Sequence, residues 1–383
     1  MKQKIALVAN TSWYIYNFRL DLIGFLQDKG YAIIVIAPDD KYSKYLEDNN
    51  CSYFHVNMDG KGKSIWKDVK TLFSIYKLYR YSKPDIILHF TIKPNVYGSI
   101  AARILKVPVI NNIAGLGTLF VKRNVFTLLA IMLYRFSQKK ADYIFFQNQD
   151  DYNLFIESKI LNKQKYRILP GSGVDLKKFN VSNFKKNTTN ITFLLIGRLI
   201  KQKGIIEYLE AARLIKNKYP NTEFHLVGVK ENSSYGVSSN FLDKYIDVGI
   251  IKYFGLVDDI RFNIAQSDCV VLPSYYREGV PKSLLEASAM NKPIITTNNI
   301  GCKEVIKDKI NGYVCNIKDS IDLADKMEKF INLSKEDKKR MGENARSEVK
   351  DRYDNKIVLN RYFDALEYIK KNKLCELRVK KSQ

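Results

Sequence analysis

Two segments in the second half of the chain bring together residue types able to hold a polyanion. Gly197-Arg198-Leu199-Ile200-Lys201-Gln202-Lys203-Gly204 follows an apolar run and sets two cations, five residues apart, between glycines at the start of a helical pattern. A helix amino terminus offers unpaired amides and the positive end of its dipole to an anion. Arg198 adds a planar fork for phosphate oxygens and Lys203 a compact charge, a pair able to neutralise a diphosphate. Single Arg and Lys residues are most often solvated surface charges; the glycine frame at a strand end is what favours phosphate here.

The second segment, Pro273-Ser274-Tyr275-Tyr276-Arg277-Glu278-Gly279-Val280-Pro281-Lys282-Ser283-Leu284-Leu285-Glu286-Ala287, carries two carboxylates. Pro281 suits a first helical turn, which leaves Glu278 in the preceding loop and puts Glu286 inside the helix. Eight residues at helical rise separate the two by up to about 12 Å. The paired acids of a glycosidase stand about 5–9.5 Å apart. The longer span fits a carboxylate at each end of a nucleotide sugar, Glu278 accepting from sugar hydroxyls and Glu286 from ribose hydroxyls. Amides of the Val280-Pro281-Lys282-Ser283 turn would hold phosphate or sugar oxygens between them. Taken alone, the pair reads better as an N-terminal helix glutamate plus a surface one; the Arg/Lys loop beside it reverses that preference.

These segments need strands to aim them. Short apolar runs at 5–9, 32–37, 86–90, 109–113 and 143–147 alternate with helical stretches, the first at about 16–29, which is the pattern of a doubly wound parallel sheet. A polar Asn/Lys-rich stretch at 180–190 interrupts it. The pattern then restarts with runs at 191–196, 223–227, 252–254, 269–272 and 293–297. The chain of 383 residues therefore reads as two Rossmann-like α/β domains, 1–180 and 190–355, facing a cleft at their strand carboxyl ends. The last helical stretch, about 356–373 within the segment 356–383, is a candidate to cross back to the first domain.

Composition narrows the class. With 46% hydrophobic and 27% charged residues the chain is globular rather than disordered. Five cysteines (Cys51, Cys269, Cys302, Cys315, Cys375) stand far apart, without a C-x-x-C pair, and read as reduced thiols. The amino terminus lacks a signal-peptide pattern, and the longest apolar run, 125–134, is shorter than the roughly 18 residues of a membrane span. A cytoplasmic protein with peripheral membrane contact is the expectation. The excess of 63 basic over 40 acidic residues, formally +23, attracts nucleic acid, anionic lipid or phosphorylated substrate alike. Lys63, Lys67, Lys70 and Lys77 recur at helical spacing opposite Ile65, Val69, Leu72, Tyr76 and Tyr79. That helix is either an ordinary solvated one or an interfacial one facing anionic headgroups. Trp66, and the run 125–134 followed by Lys139 and Lys140, favour the second.

The E-G-x-P-x-S-x-x-E-A stretch, the G-R-x-x-x-x-K-G loop and the Gly301-Cys302-Lys303-Glu304 turn with Asn311-Gly312 after it resemble family four of the retaining GT-B glycosyltransferases. In the first half, Tyr14-Ile15-Tyr16-Asn17-Phe18-Arg19, Thr91-Ile92-Lys93-Pro94-Asn95-Val96-Tyr97-Gly98 and Gly115-Leu116-Gly117 are similar to the branch that extends undecaprenyl-diphosphate-linked polysaccharide and glycan precursors, N-acetylgalactosaminyltransferases among them.

The resemblance implies an acceptor-binding first domain and a nucleotide-sugar-binding second one. It implies Arg198 and Lys203 on the donor diphosphate beside Gly197, Glu278 on the donor sugar, Glu286 on the ribose, and Gly255-Leu256-Val257 beside the base. Arg19, His89, Lys93 and Asn95 fall on the acceptor side. Many members carry a glycine pair in the first loop, where this chain has Asn10-Thr11-Ser12-Trp13, so that loop is assigned no phosphate contact. The implied reaction takes a hexose or N-acetylhexosamine from a nucleotide diphosphate sugar, with uridine as the base, to a lipid-linked saccharide at the inner membrane face, with retention of configuration. Capsule, O-antigen or glycoprotein glycan synthesis would be its setting. With no D-x-D in the chain, neither metal nor cofactor is expected. A nicotinamide dehydrogenase is disfavoured because residues 7–14 hold no glycine. A GT-B sugar-nucleotide epimerase is the nearest rival, and charge alone speaks for nucleic-acid binding, which is not expected.

Overall fold

The computed structural model describes residues 2–59, 64–116, 125–161, 165–180, 184, 186–231 and 233–381, the side chains of 65, 125, 126 and 374–381 excepted. Lys63, Gly117 and the Cys375 side chain, used above, lie outside these. The chain divides into two compact units, Met1–Ser172 with Lys356–Gln383, and Gly173–Asn355.

The first unit holds strands β1 (Lys4–Val8), β2 (Ala32–Ala37), β3 (Ser52–His55), β4 (Ile86–Phe90), β5 (Val109–Ile113), β6 (Tyr143–Phe146) and β7 (Lys165–Ile168). They form one parallel sheet in the order β3-β2-β1-β4-β5-β6-β7. Alternate residues of β1 feed two different cores: Ile5 and Leu7 pack on one face, Ala6 and Val8 on the other. A strand covered on both faces has to be a continuous apolar run, which is what made the inner strands readable. The helix Asn355–Lys381 belongs to this unit, with Val358, Tyr362, Ala365, Leu366 and Ile369 in the same core as Ile5 and Leu7.

The second unit holds β8 (Thr192–Ile196), β9 (Glu223–Val227), β10 (Lys252–Tyr253), β11 (Cys269–Leu272), β12 (Ile294–Thr297) and β13 (Gly312–Cys315). Its parallel sheet runs β10-β9-β8-β11-β12-β13. The polar stretch at 180–190 lies inside this unit rather than ahead of it. Lys186 pairs with Asp268, and the Asn187 amide donates to Gln266 Oε1 at 2.8 Å. The division comes earlier, at Ser172.

In each sheet the strand order reverses once, between β1 and β4 and between β8 and β11. Loops leaving the carboxyl ends of the strands that flank such a reversal form the crevice where ligands of this architecture bind. Cys51, Cys269, Cys302 and Cys315 are buried free thiols, and burial pushes Cys51, Cys302 and Cys315 up to about 12.

Candidate active site

The two segments singled out by their chemistry are the loops that leave β8 and β11, so the reversal in the second sheet brings them together. After β8 the Gly197 amide donates to the Val227 carbonyl at 3.0 Å, and the chain passes through the 3-10 turn Lys201–Lys203 to Gly204. After β11 the Tyr275 amide donates to the Gln202 carbonyl at 2.8 Å, which ties the loops directly, and the Ser274 hydroxyl oxygen lies 3.3 Å from the same carbonyl. Gly204 has φ 74°, and a Cβ there would lie 2.2 Å from the Pro273 carbonyl oxygen. Gly301 has φ 86°, and its Cβ would lie 2.1 Å from the Gly279 carbonyl oxygen. Neither position admits a side chain, because backbone cannot give way. The turn that begins at Gly301 is thereby packed onto the Glu278-Gly279 backbone.

Within this frame Lys203 Nζ pairs with Glu278 Oε2, each side chain 13% exposed. The Ser274 hydroxyl donates to Glu278 Oε1 at 2.8 Å, so both carboxylate oxygens are held. Arg198 is half-exposed, with Glu231 Oε2 3.7 Å from its guanidinium. The helix Lys282–Ala289 starts directly after Pro281 with no side chain capping it, and the Leu284 amide donates to the Pro281 carbonyl at 3.2 Å. Glu286 lies one turn in, 3.8 Å from Lys282 Nζ. Burial lifts its carboxyl above the ordinary range, with Lys282 and Lys178 pulling the other way. Val280 and Pro281 are buried, Ser283 is half-buried, Leu256 is exposed and Val257 half-buried. The partners Ser274 and Gln202 lay within the quoted segments without any signal of their role. Glu231 had none, since its approach to Arg198 depends on the loop after β9.

A family model described as glycosyl transferases group 1 matches residues 177–348, and one described as glycosyl transferase 4-like matches residues 4–148. The chain is a GT-B glycosyltransferase. A Campylobacter jejuni relative, N,N'-diacetylbacillosaminyl-diphospho-undecaprenol alpha-1,3-N-acetylgalactosaminyltransferase, is 29% identical over 96% of this chain and all of its own length. The Escherichia coli UDP-Gal:alpha-D-GlcNAc-diphosphoundecaprenol alpha-1,3-galactosyltransferase is 28% identical over 78% of each chain. The Anabaena HepE protein, solved in complex with UDP and glucose, superposes with a TM-score of 0.77 over 96% of this chain and 100% of its own, at 17% identity, a likeness of fold.

The four residues expected on the acceptor side all lie in the first unit of this glycosyltransferase. Arg19 is buried, its guanidinium 4.6 Å from the Phe90 ring centre and donating to the Phe18 carbonyl and the Tyr14 hydroxyl. Asn95 is buried and donates to the Asn112 carbonyl at 2.8 Å. Lys93 is tied to Asp68 at 2.5 Å. These contacts lie inside the first unit, and they leave Arg19 Nε and Asn95 Oδ1 buried without a hydrogen-bond partner. The amino end of the helix Ser12–Asp28 is occupied: the Asp40 carboxylate accepts from the Trp13 amide at 3.0 Å and from the Ser12 hydroxyl. The chain's own carboxylate thus takes the place an external anion would take at that helix end.

His89 is fully buried, between the Tyr79 hydroxyl at 2.8 Å from Nε2 and Asn111 Oδ1 at 2.7 Å from Nδ1. An amide oxygen only accepts, so these partners put the proton on Nδ1. Burial pulls its pKa down to about 4. An unfolded histidine titrates near 6.5, so the unfolded chain binds the extra proton first as pH falls. Its stabilising contribution is complete above about pH 6.5 and is lost on going down to about 4. Urea unfolding at pH 7 and pH 4.5 should show the wild type losing about 2–3 kcal/mol more than a His89→Gln variant. Equal losses would mean that His89 is not held neutral.

Proposed function

We propose that this glycosyltransferase moves a hexose or N-acetylhexosamine from a uridine diphosphate sugar to an undecaprenyl-diphosphate-linked, or otherwise lipid-linked, saccharide at the cytoplasmic face of the membrane. Capsule, O-antigen or glycoprotein glycan synthesis is its setting. The observation that carries the donor half is the Lys203–Glu278–Ser274 constellation beside Arg198, at the strand reversal of the second sheet. The acceptor half is supported by the activities in the names of the Campylobacter and Escherichia relatives.

Glu278 pairs with Lys203. A diphosphate exchanges for that carboxylate on Lys203, and Glu278, still held by Ser274, turns its freed oxygen to the sugar hydroxyls. Glu286 takes the ribose, and Leu256 and Val257 flank the base. The anomeric carbon–oxygen bond to phosphate breaks, and the acceptor oxygen bonds to the same face of that carbon. The acceptor's hydroxyl proton goes to the departing phosphate oxygen, so no protein nucleophile takes part. Arg198, Lys203 and the first-turn amides of the helix Lys282–Ala289 stabilise the charge that develops on the diphosphate, work that needs no metal ion.

Titration calorimetry of the wild type and an Arg198→Ala/Lys203→Ala variant against nucleoside diphosphates and sugar nucleotides tests the donor site. The expected result is binding of a uridine diphosphate sugar by the wild type alone. Equal binding by both proteins would remove the assigned site. Conversion of the donor sugar without any acceptor present would point to an epimerase.

A further inference from the structure

The first unit turns apolar side chains outward on three helices that lie together on one face of its sheet, Ile65–Ser82, Ser99–Leu105 and Val125–Gln138. On the last of these, Leu128, Leu129, Met132 and Phe136 are exposed, Met132 by 64%. Spacings of one, four and eight residues place them on a single ridge. Ile104 of the short helix is exposed as well, and Arg103 beside it sits 5.5 Å from the Phe136 ring centre. On the first helix Trp66 is 81% exposed, and Phe73, Tyr76, Lys77, Arg80 and Tyr81 line a groove of about 520 Å³. Scattered exposed apolar residues are ordinary on a protein surface, whereas a row of large ones on one ridge marks a contact surface.

Charge says which contact. The three helices carry six basic residues, Lys67, Lys70, Lys77, Arg80, Arg103 and Arg135, and one acid, Asp68. That acid is turned inward, held by Lys93 at 2.5 Å and the Tyr97 hydroxyl at 2.8 Å. Lys106, Lys139 and Lys140 follow the last two helices directly. An apolar ridge in a mostly cationic surround, where Asp59 lies 3.4 Å from Lys67 Nζ, is complementary to anionic phospholipid. A second copy fits poorly, since a two-fold contact through this face would bring like charges together.

We propose that the helix Val125–Gln138 inserts its Leu128–Met132–Phe136 ridge below the headgroups of an anionic bilayer while Lys67, Lys70 and Lys77 of the helix Ile65–Ser82 hold the headgroup phosphates. The commitment to lipid rests on the reading that the acceptor is lipid-linked. Two separable contacts follow, an apolar one indifferent to salt and a charged one that salt screens.

Cosedimentation of the full chain with phosphatidylcholine vesicles containing phosphatidylglycerol, at low and at high salt, separates them. The wild type should keep part of its binding at high salt. A Leu128→Ser/Met132→Ser/Phe136→Ser variant should lose that salt-resistant part, with partitioning reduced more than about tenfold, while a weaker salt-sensitive part remains. A Lys67→Gln/Lys70→Gln/Lys77→Gln variant should show the reverse. Wild-type-like binding of the ridge variant at high salt overturns the proposal, as does a wild type that ignores these vesicles. So does a wild-type dimer, seen by sedimentation velocity, that the ridge substitutions dissociate without changing vesicle binding. Uridine diphosphate sugar titrations of the same proteins keep the two readings apart. Vesicle binding without any donor binding sinks the donor assignment and leaves the ridge standing, and the opposite pattern does the reverse.

Discussion

Lys203→Ala is expected to lower the turnover of sugar transfer by about 10²- to 10³-fold, the usual cost of removing one fixed donor that meets charge developing in a transition state. The ammonium sits in a largely enclosed site, where a charge acts more strongly than on an open surface. It is also pre-positioned, because Glu278 and Ser274 hold the constellation before any donor arrives. A lysine that merely pairs with a glutamate for stability would, when removed, lower the melting temperature and leave turnover nearly intact. Turnover and melting temperature should therefore be measured together, with uridine diphosphate release as the assay. A kcat within about threefold of wild type, at the roughly 1 kcal/mol cost of an ordinary ion pair, would demote Lys203 to a structural role.

Gly204→Ala should destabilise the second unit by about 2–4 kcal/mol, since a left-handed backbone costs about 1–2 kcal/mol with a side chain and overpacking costs at least as much again. The clash is with the Pro273 carbonyl, on the loop that carries Glu278. Relief requires the two loops to part, so donor affinity should fall together with stability. Urea unfolding and calorimetry on the same preparation check this, and unchanged values for both would show that the loops tolerate separation.

The inner strands and both site segments were legible in the sequence for related reasons. β1, β2 and β6 are covered on both faces and so read as unbroken apolar runs, and the site residues fall in two contiguous stretches with glycine and proline punctuation. The edge strands β3 and β7 were not legible, because Ser52–His55 and Lys165–Ile168 are largely exposed and show no apolar run. β13 was not among the expected runs; it opens on Gly312, which is there because the Ile294 carbonyl passes where a Cβ would stand. The first helix begins at Ser12, ahead of the expected start, because Thr11 caps it by accepting from the Tyr14 amide. Arg19, His89 and Asn95 carry the residue types of a binding site, yet burial depends on neighbours contributed by β5 and the carboxyl-terminal helix. Local pattern carries no trace of such distant partners.

The chain leaves the first unit at Ser172 and re-enters it at Lys356, so the second unit is an insertion whose two ends lie side by side. The Val174 amide donates to the Tyr353 carbonyl and the Asn355 amide to the Val174 carbonyl, both at 3.0 Å. Such a segment resembles an exchangeable cassette, because its entry and exit are already joined and its core is its own. The host is not divisible in the same way: a cut at Ser172 would strip five core side chains from the first unit along with its last helix. Exchange between glycosyltransferases that respects this nesting would carry residues 173–355 as one block, with the first unit and its last helix left whole.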